Sequence, residues 1–286
     1  MHIRQKINNI ALIACIIIFY NCNNDVDDTP PISEENQILT INIVHHISRN
    51  DAGLNPTTNA ANINLMMSFL NSNFNSWNIF FKTKEIKSLN NTAWNRQFIK
   101  QDDFINQRVL KDFEDETSLN IFYFNKLSSR QSNGTLEDIG ATALFPNQGN
   151  NIKLSLSAFE PDNTATITHE VGHYLGLFHT SEDITDSQGN LELVDGSNGE
   201  TAGDLIADTP ASPDLNDTNI NESNCMYIGT QTDGNGDLYM PDTFNFMTQW
   251  AGADSNNMLC RSRFTQGQVD KMKAVIRNER QILITP

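Results

Sequence analysis

The chain has 286 residues, of which 38% are hydrophobic, so it is long and apolar enough to build at least one sizeable core. Lys and Arg number 19 against 35 Asp and Glu, which gives a formal net charge of -16 and an isoelectric point near 4.6. A surface that binds nucleic acid needs clustered basic side chains. The composition therefore argues against a nucleic-acid partner.

The N-terminus has the pattern of an export signal. Arg4 and Lys6 precede the apolar run Ile10–Tyr20, which is too short to cross a bilayer as a mature helix. Cys22 follows the run directly and precedes acidic and polar residues, as in a bacterial lipoprotein signal, whereas Cys15 lies inside the run. Cys22 is therefore preferred to Cys15 as the lipidated residue.

These features predict a signal peptide over residues 1–22 and a flexible tether over residues 23–37. The mature protein is expected to be exported. It is either a lipoprotein at the cell surface or in the periplasm, or a secreted protein released by plain cleavage.

Hydrophobic periodicity predicts alternating strands and helices in the first part of the chain. The predicted strands are Ile38–Ile47, Ile79–Ile86 and Leu119–Phe124. The predicted helices are marked by Ile63, Met66, Met67 and Leu70, and by Ile105, Val109 and Phe113. Two more strands are expected between Gly134 and Phe159.

The segment from Ile152 to Ser157 alternates apolar and polar side chains, which predicts a half-exposed strand at a sheet edge. A turn at Pro161–Asn163 then favours a helix from Thr164 to Phe178. Polar residues without periodicity predict a long loop over Thr180–Asn224.

A last helix is expected from Thr265, because Thr265 and Gln268 have capping-box spacing before an apolar stripe. The chain shows no internal repeat and no second core. We therefore predict one domain over residues 38–286, with an upper part (38–179) and an irregular lower part (180–286) on the two sides of a cleft.

The stretch from His169 to His179 contains the candidate metal ligands and the candidate general base. On a helix, His169 and His173 are four residues apart, so both imidazoles project from one face and reach the same zinc ion. Gly176 lets the backbone leave the helix sharply and return His179 as a third ligand. Glu170 is placed to act as a general base on water activated by the metal.

These residues match the long zinc signature of the metzincin proteases, His-Glu-x-x-His-x-x-Gly-x-x-His, at every fixed position. Within the metzincins, the chain resembles the pappalysin and cytophagalysin group from Ile38 to the C-terminus. The segments that carry the resemblance are His169–Thr180, Gly203–Asp204, Asp208–Pro210, Asn245–Met247, Cys260 and Phe264–Thr265.

The resemblance implies an α+β metzincin fold. Such a fold has a twisted, mostly parallel sheet with an antiparallel edge strand, an active-site helix, and an irregular lower subdomain with a C-terminal helix. It also implies a zinc-dependent endopeptidase that hydrolyses internal bonds of proteins or peptides. We expect a monomer.

Two positions near the predicted site depend on this resemblance. Met247 would be the methionine of the turn beneath the zinc. Members of the group usually carry a tyrosine two residues later, where its hydroxyl assists the oxyanion, but Gln249 stands there. A glutamine amide also donates hydrogen bonds, with a different reach, so we expect reduced activity or a donor elsewhere.

The chain has four cysteines, and their positions decide whether a cysteine switch or a disulfide can form. Because no cysteine lies between Cys22 and Cys225, latency by a cysteine switch is not expected. Cys225 and Cys260 remain in the folded part, and an oxidising compartment favours a disulfide between them. The alternative is two separate buried thiols. The resemblance also implies the bridge.

A calcium site is a further hypothesis. Asp233, Asn235 and Asp237 place oxygen ligands at alternate positions with glycines between them. Phe244 occupies the twelfth position, which excludes an ordinary helix-loop-helix calcium site. Asp204 and Asp208 are the other candidates, and simple turns without an ion are the alternative.

The remaining candidates are weaker. His45 and His46 are interpreted as structural, and Trp77, Trp94 and Trp250 as packing residues. Trp250 and the segment Ala251–Leu259 are also candidates to line the pocket for the residue after the scissile bond. The only acid there, Asp254, favours a basic side chain at that position.

Three alternative functions remain open. The Gln249 substitution and the lipid tether are compatible with an inactive adhesion or binding lipoprotein. A thermolysin-type protease would take a glutamate as its third ligand in place of His179. A nutrient-binding lipoprotein would need no zinc.

Overall fold

The computed structural model describes residues 37–100, 110–159, 164–255 and 258–281. The predicted signal peptide and lipidation site lie outside these ranges, as does most of the helix predicted around Ile105 and Val109. The chain from Gln37 onward groups into one compact unit. Every helix within the described ranges is too short or too polar to span a bilayer.

Ten strands and four α-helices make up the described regular structure. The strands are β1 (Leu39–Arg49), β2 (Ile79–Asn90), β3 (Phe98–Ile99), β4 (Leu119–Phe124), β5 (Leu127–Arg130), β6 (Leu136–Asp138), β7 (Ala141–Ala143), β8 (Asn151–Ser155), β9 (Ile220–Asn221) and β10 (Met226–Tyr227). The helices are α1 (Ala60–Phe74), α2 (Thr92–Arg96), α3 (Thr164–Tyr174) and α4 (Gln266–Asn278). Short 3-10 turns follow α1 and β8.

The central sheet has the order β2-β1-β4-β8-β7. All neighbours pair in parallel except β7, which runs antiparallel to β8 at one edge. All six residues of β4 are buried, as expected for a strand in the interior of a mainly parallel sheet. The predicted α+β class, with a mostly parallel sheet and an antiparallel edge strand, is confirmed.

The prediction of an edge strand at Ile152–Ser157 is wrong. Strand β8 covers the first part of this segment, but β4 flanks it on one side and β7 on the other. The alternation predicts exposed side chains at Lys153 and Ser155, yet they are 1% and 4% exposed. Hydrophobic periodicity depends on side chains and carries no information on backbone pairing, so it does not distinguish a buried strand with polar residues from an edge strand.

Two apolar clusters cover the two faces of the sheet. The larger one joins α1, α3 and α4 to the sheet through side chains such as Ile63, Leu70, Val171 and Met272. The smaller one includes Phe98, Phe122 and Phe124. Helix α3, which carries the first two histidines of the signature, is therefore fixed by the main core.

Helix α3 ends at Tyr174, earlier than the predicted Phe178. The reason is Gly176, whose φ of +90° lies in the left-handed region that favours glycine. The Gly176 and Leu177 amides donate to His173 and Gly172 carbonyls at 2.9 Å and close the helix end. The chain then turns back toward the face of α3 that carries the histidines.

The lower part is mostly irregular between Thr180 and the start of α4, as predicted, and its described residues form one short strand pair, β9–β10. A disulfide joins Cys225 and Cys260, which confirms that prediction. It lies in a small apolar cluster with Trp250 and Ile220. The capping box at Thr265 is also present: its side chain accepts from the Gln268 amide, and the Gln268 side chain accepts from the Thr265 amide.

Candidate metal centre

Three imidazoles converge on one point. Nε2 of His173 lies 3.0 Å from Nε2 of His169 and 3.0 Å from Nε2 of His179, and the remaining pair is 3.3 Å apart. The first two histidines come from one face of α3, and the third comes from the chain after the Gly176 turn. Among the described residues, no other group of three or more His, Cys, Asp and Glu side chains has the spacing of a metal site.

The other ring nitrogens fix how these imidazoles can be protonated. Nδ1 of His169 donates to the Phe246 carbonyl at 2.7 Å, and Nδ1 of His173 donates to the Leu177 carbonyl at 2.8 Å. With the proton on Nδ1, the Nε2 lone pair points inward, as in protein zinc sites. Nδ1 of His179 is 3.2 Å from the Gln249 side-chain amide and 3.8 Å from a Glu182 carboxylate oxygen.

Burial also favours neutral rings at the centre. It lowers the pKa of His173 to about 4 and that of His179 to about 3, and it lowers the pKa of His169 well below its ordinary value. Neutral imidazole is the form that binds a metal. Zinc–nitrogen bonds of about 2.0–2.1 Å in a tetrahedral site need nitrogens roughly 3.3 Å apart. The three rings therefore fit a zinc ion.

The Met247 turn lies directly beneath α3. A Cβ atom at Gly172 would overlap the Met247 sulfur, so only glycine allows the turn to approach this closely. The Met247 amide donates to the Asn245 side chain at 2.8 Å, and the Asn245 and Gln268 side-chain amides pair with each other at 2.9 and 3.1 Å. Gln268, in the first turn of α4, thus holds the turn beneath the metal ligands.

Glu170 lies beside the histidines and is 6% exposed. One of its oxygens, Oε2, is buried without a hydrogen-bond partner among the described residues. Burial raises the pKa of Glu170 to about 7, although the charges of Arg261 and Lys100 oppose that rise. A buried carboxylate with an unpartnered oxygen can exchange a proton with a group bound next to it.

A cleft opens over these residues. Its upper side is formed by all three residues of β7 together with Phe145, and Glu170 and the three histidines lie at its base. The other lining residues are Lys100, Ser129, Ile139, Gln148, Phe178 and Glu182. The Phe145 ring lies 5.3 Å from that of His173, measured between ring centres. Because β7 pairs only with β8, its outer edge faces this cleft.

Four residues at or near the cleft belong to no sequence motif: Arg261, Lys100, Glu182 and Phe145. Arg261 is 6% exposed and donates to the carbonyl of Thr248, the residue after Met247, at 3.4 Å. The one available signal was its place directly after Cys260, because a disulfide anchors its neighbours in the interior. Lys100 and Phe145 lie in segments without a motif, so no sequence signal marks them.

The calcium candidates separate into two kinds. Asp233 accepts backbone hydrogen bonds from Val194, Asn235 and Asp237, so both of its carboxylate oxygens stabilise turns. Asp208 likewise accepts from the Thr265 hydroxyl and the Gly267 amide at the start of α4. These contacts explain Asp233 and Asp208 without an ion, so calcium at those positions stays a prediction.

Asp204 differs from these two. It is 3% exposed, and its Oδ2 is buried without a partner among the described residues. Glu192, which the sequence analysis missed, is buried next to it, and its carboxylate occupies the space that a side chain at Gly203 would need. Burial, followed by the charge of Asp204, raises the pKa of Glu192 to about 8.

The other candidates lie in packed regions. His45 is hydrogen-bonded to Tyr123 and Thr83, and His46 to Asn120, within the sheet. Trp77 packs against the main core and Trp94 against the smaller cluster. The indole N–H of Trp250 donates to Asp217 at 2.7 Å, and the Asp254 carboxylate accepts from the Met258 amide. Trp250 and Asp254 are not among the residues that line the cleft.

A model of the Peptidase_M43 family, described as Pregnancy-associated plasma protein-A, matches residues 101–277, more than half of the chain. The chain belongs to this family. It is therefore a zinc metalloendopeptidase of the pappalysin type, and the resemblance predicted from the zinc signature is confirmed. The third position of the cluster is occupied by His179, which argues against a thermolysin-type site.

Solved structures of mirolysin are similar to this peptidase. Mirolysin in complex with compound 9 is 20% identical, with 87% of this chain and 99% of that chain covered and a TM-score of 0.57. Mature mirolysin of Tannerella forsythia in complex with a cleaved peptide is 21% identical, with the same coverage and TM-score. At this identity the likeness shows the metzincin fold alone. A search among curated proteins found no match.

Proposed function

We propose that Glu170 is the general base and acid of this metalloendopeptidase, and that His169, His173 and His179 hold the zinc. One observation carries the proposal: a buried carboxylate with an unpartnered oxygen lies beside three imidazole nitrogens that converge within 3.3 Å of one another. Zinc in such a site supplies Lewis-acid polarisation of a carbonyl and lowers the pKa of water to about 7.

The protein's own groups perform the proton transfers. The Glu170 carboxylate takes a proton from the attacking water and later gives it to the amine that leaves. The Phe246 and Leu177 carbonyls keep the His169 and His173 rings oriented throughout, because each accepts an Nδ1 proton. The Gln249 side-chain amide lies 3.2 Å from Nδ1 of His179 and carries two N–H donors, so at least one of them can point to the developing oxyanion.

The substrate backbone binds along β7. β7, and not the segment Ile152–Ser157, is the edge of the sheet that opens on the cleft. An extended peptide added there would pair its backbone with Ala141–Ala143. The similar protein mirolysin is described in complex with a cleaved peptide, which agrees with a peptide substrate.

The test is the variant Glu170→Gln. Gln has nearly the same shape but cannot take up the proton, so turnover of a fluorogenic peptide should fall by roughly 10² to 10⁴-fold. Zinc measured by atomic spectroscopy should stay at the wild-type level. Glu137→Gln, an exposed position on β6, is the matched control and should keep full activity. Unchanged turnover in Glu170→Gln would defeat the assignment.

An inactive binding lipoprotein is the second candidate, because Gln249 stands where the group usually has a tyrosine and is hydrogen-bonded to His179. The zinc-loaded wild-type protein separates the two functions. Cleavage that stops with a chelator and returns with zinc supports the peptidase. A zinc-loaded protein that cleaves nothing in a broad peptide library supports the binding function.

We also propose that the protein is exported and anchored through a lipid on Cys22. The basic start, the apolar run Ile10–Tyr20 and the cysteine that follows it support this assignment. Labelling cells with a palmitate analogue should mark the wild type and the variant Cys15→Ser, but not Cys22→Ser. Label that persists in Cys22→Ser would move the anchor elsewhere.

Calcium is proposed at Asp204 and Glu192, in place of the Asp233 loop. Two buried carboxylates that repel each other, one with an unpartnered oxygen, are typical of the oxygen ligands that calcium takes in proteins. The ion would stabilise the loop that follows His179 without taking part in the reaction.

A further inference from the structure

Arg280, two residues beyond the end of α4, is a buried cation that the proposed mechanism does not use. It is 6% exposed, and its guanidinium carbon lies 3.5 Å from the centre of the Tyr174 ring. Its Nε donates to the Tyr174 carbonyl at 2.9 Å. Tyr174 is the last residue of α3 and directly follows His173. The last carbonyls of a helix lack partners within it, so Arg280 satisfies one of them and complements the negative end of the helix.

The other N–H groups of the guanidinium reach the loop that joins β7 to β8, residues 144–150. Nη2 donates to the Leu144 carbonyl at 3.3 Å, and both Nη1 and Nη2 lie 3.3 Å from the Gly149 carbonyl. Nη1 also donates to the Asn150 side-chain oxygen at 3.3 Å. The planar fork of one arginine thus ties both ends of this loop to the end of α3.

Two further hydrogen bonds hold the same loop. The Tyr174 hydroxyl donates to the Asn150 side-chain oxygen, which also accepts from Arg280. The Asn147 side chain donates to the Glu279 carboxylate at 3.2 Å. The loop is therefore fastened both to α3 and to the residues that follow α4.

The loop forms part of the cleft over the metal centre. Phe145 and Gln148 line the cleft, as does Phe178. The centre of the Phe145 ring lies 5.3 Å from that of His173 and 5.3 Å from that of Phe178. Phe145 and Phe178 thus make an aromatic wall beside a metal ligand. Such a wall binds an apolar substrate side chain by removing it from water.

We propose that Arg280 is a positioning residue for substrate binding, which holds the 144–150 loop so that Phe145 forms the aromatic wall of the cleft. Arg280 is not among the residues that line the cleft, so it acts on the substrate through Phe145. The inference rests on the proposed binding of the substrate along β7, because Phe145 follows that strand by two residues.

A purely structural role for Arg280 predicts different kinetics. Loss of stability lowers the fraction of folded enzyme, so the apparent kcat falls and KM stays the same. The wall contacts the substrate before and during the reaction alike. Its displacement therefore raises KM and leaves kcat nearly unchanged.

The experiment is a double-mutant cycle between Arg280→Met and Phe145→Ala. The substrate is the fluorogenic library peptide that the zinc-loaded wild type cleaves with the highest kcat/KM. Each single variant should raise KM roughly tenfold, with kcat within about twofold of the wild type and an unchanged zinc content. The double variant should match Phe145→Ala, because Arg280 then has no wall to position.

Arg280→Lys tests the same idea with a smaller disturbance. Lysine keeps the charge but not the planar fork, so its KM should lie between those of the wild type and Arg280→Met. If Arg280→Met does not fold, the cycle is measured with Arg280→Lys instead. Val269→Ala, a buried core position near the start of α4, is the matched control for stability. It should lower the midpoint of thermal unfolding and leave KM unchanged.

The outcomes separate this inference from the proposed function. A wild-type KM in both Arg280 variants overturns the inference, and so do effects of Arg280 and Phe145 that add in the double variant. A loss of zinc in Arg280→Lys also overturns it, because the residue would then serve the metal ligands. In each case Glu170→Gln still decides the proposed function. A zinc-loaded wild type that cleaves no library peptide overturns both.

Discussion

The upper and lower parts of the molecule are built by different means. The upper part is a five-stranded sheet with apolar clusters on both faces, and it fixes α3 with His169 and His173. The lower part consists mainly of turns in which Asp and Asn side chains accept backbone amides, closed by one disulfide. His179 and the Met247 turn belong to the boundary between them. The metal centre thus depends on a rigid core for two ligands and on cross-linked loops for the rest.

Removing the ligand at that boundary should have the largest effect. In His179→Ala two ring nitrogens remain, and a tetrahedral zinc site with three protein ligands loses one of them. We expect zinc content to fall sharply and peptide cleavage to be abolished, as measured by atomic spectroscopy and a fluorogenic assay. His45→Gln, a histidine change outside the centre, should keep its zinc. Full zinc occupancy in His179→Ala would mean that His179 is not a ligand of the zinc ion bound by His169 and His173.

Loss of the disulfide should destabilise the lower part selectively. The bridge closes a loop with a sequence separation of 35, so the double variant Cys225→Ser/Cys260→Ser should lose roughly 3–4 kcal/mol of unfolding free energy. Hydrogen exchange should rise in β9 and β10 before it rises in β1 and β4. Equal loss of protection in both parts would show that they unfold as one cooperative unit.

Calcium should also act on the lower part. If Asp204 and Glu192 bind the ion, a hundredfold excess over the dissociation constant should stabilise the protein by about 2.7 kcal/mol. The midpoint of thermal unfolding should rise with calcium in the wild type and not in Asp204→Asn. Asp233→Asn is the comparison variant, and it should keep the calcium response. A response lost in Asp233→Asn but kept in Asp204→Asn would move the site to that loop.

The upper part should respond to acid through its buried histidines. Burial lowers the pKa of His45 to about 3 and that of His46 to about 4, below the unfolded value near 6.5. The fold therefore favours their neutral forms, and this contribution is complete above pH 6.5 and falls as the pH drops toward 4. Between pH 7 and pH 5, His45 alone should account for roughly 2 kcal/mol.

The measurement for this last effect is unfolding by urea at several pH values with saturating zinc. His45→Gln should have a smaller loss of stability between pH 7 and pH 5 than the wild type. An identical pH dependence in the two proteins would assign the acid sensitivity to other groups.

The difference between the regular upper part and the irregular lower part also explains which features the sequence could predict. Apolar periodicity and a capping box predict strand β4 and helices α1 and α4. These elements bury one or both faces, so their apolar residues recur at regular spacing in the sequence. The zinc signature fixes His169, His173 and His179 through helix spacing and one glycine. Arg261 and Glu192 left no such pattern, since their roles depend on contacts between segments distant in the chain.

The error at β8 has the same origin. Lys153 and Ser155 suggested a solvent-exposed face, but both side chains are buried, and β7 pairs with the outer side of β8. Which strand forms an edge is decided by the path of the chain after Asp138, and no local pattern records that path. The substrate-binding strand could therefore be found only from the three-dimensional structure.

The pairing of Asn245 with Gln268 has a consequence for biosynthesis. The floor of the metal centre is completed by a side chain of α4, which follows all three histidines in the chain. The active site is therefore finished only after α4 has been synthesised and has folded onto the Met247 turn.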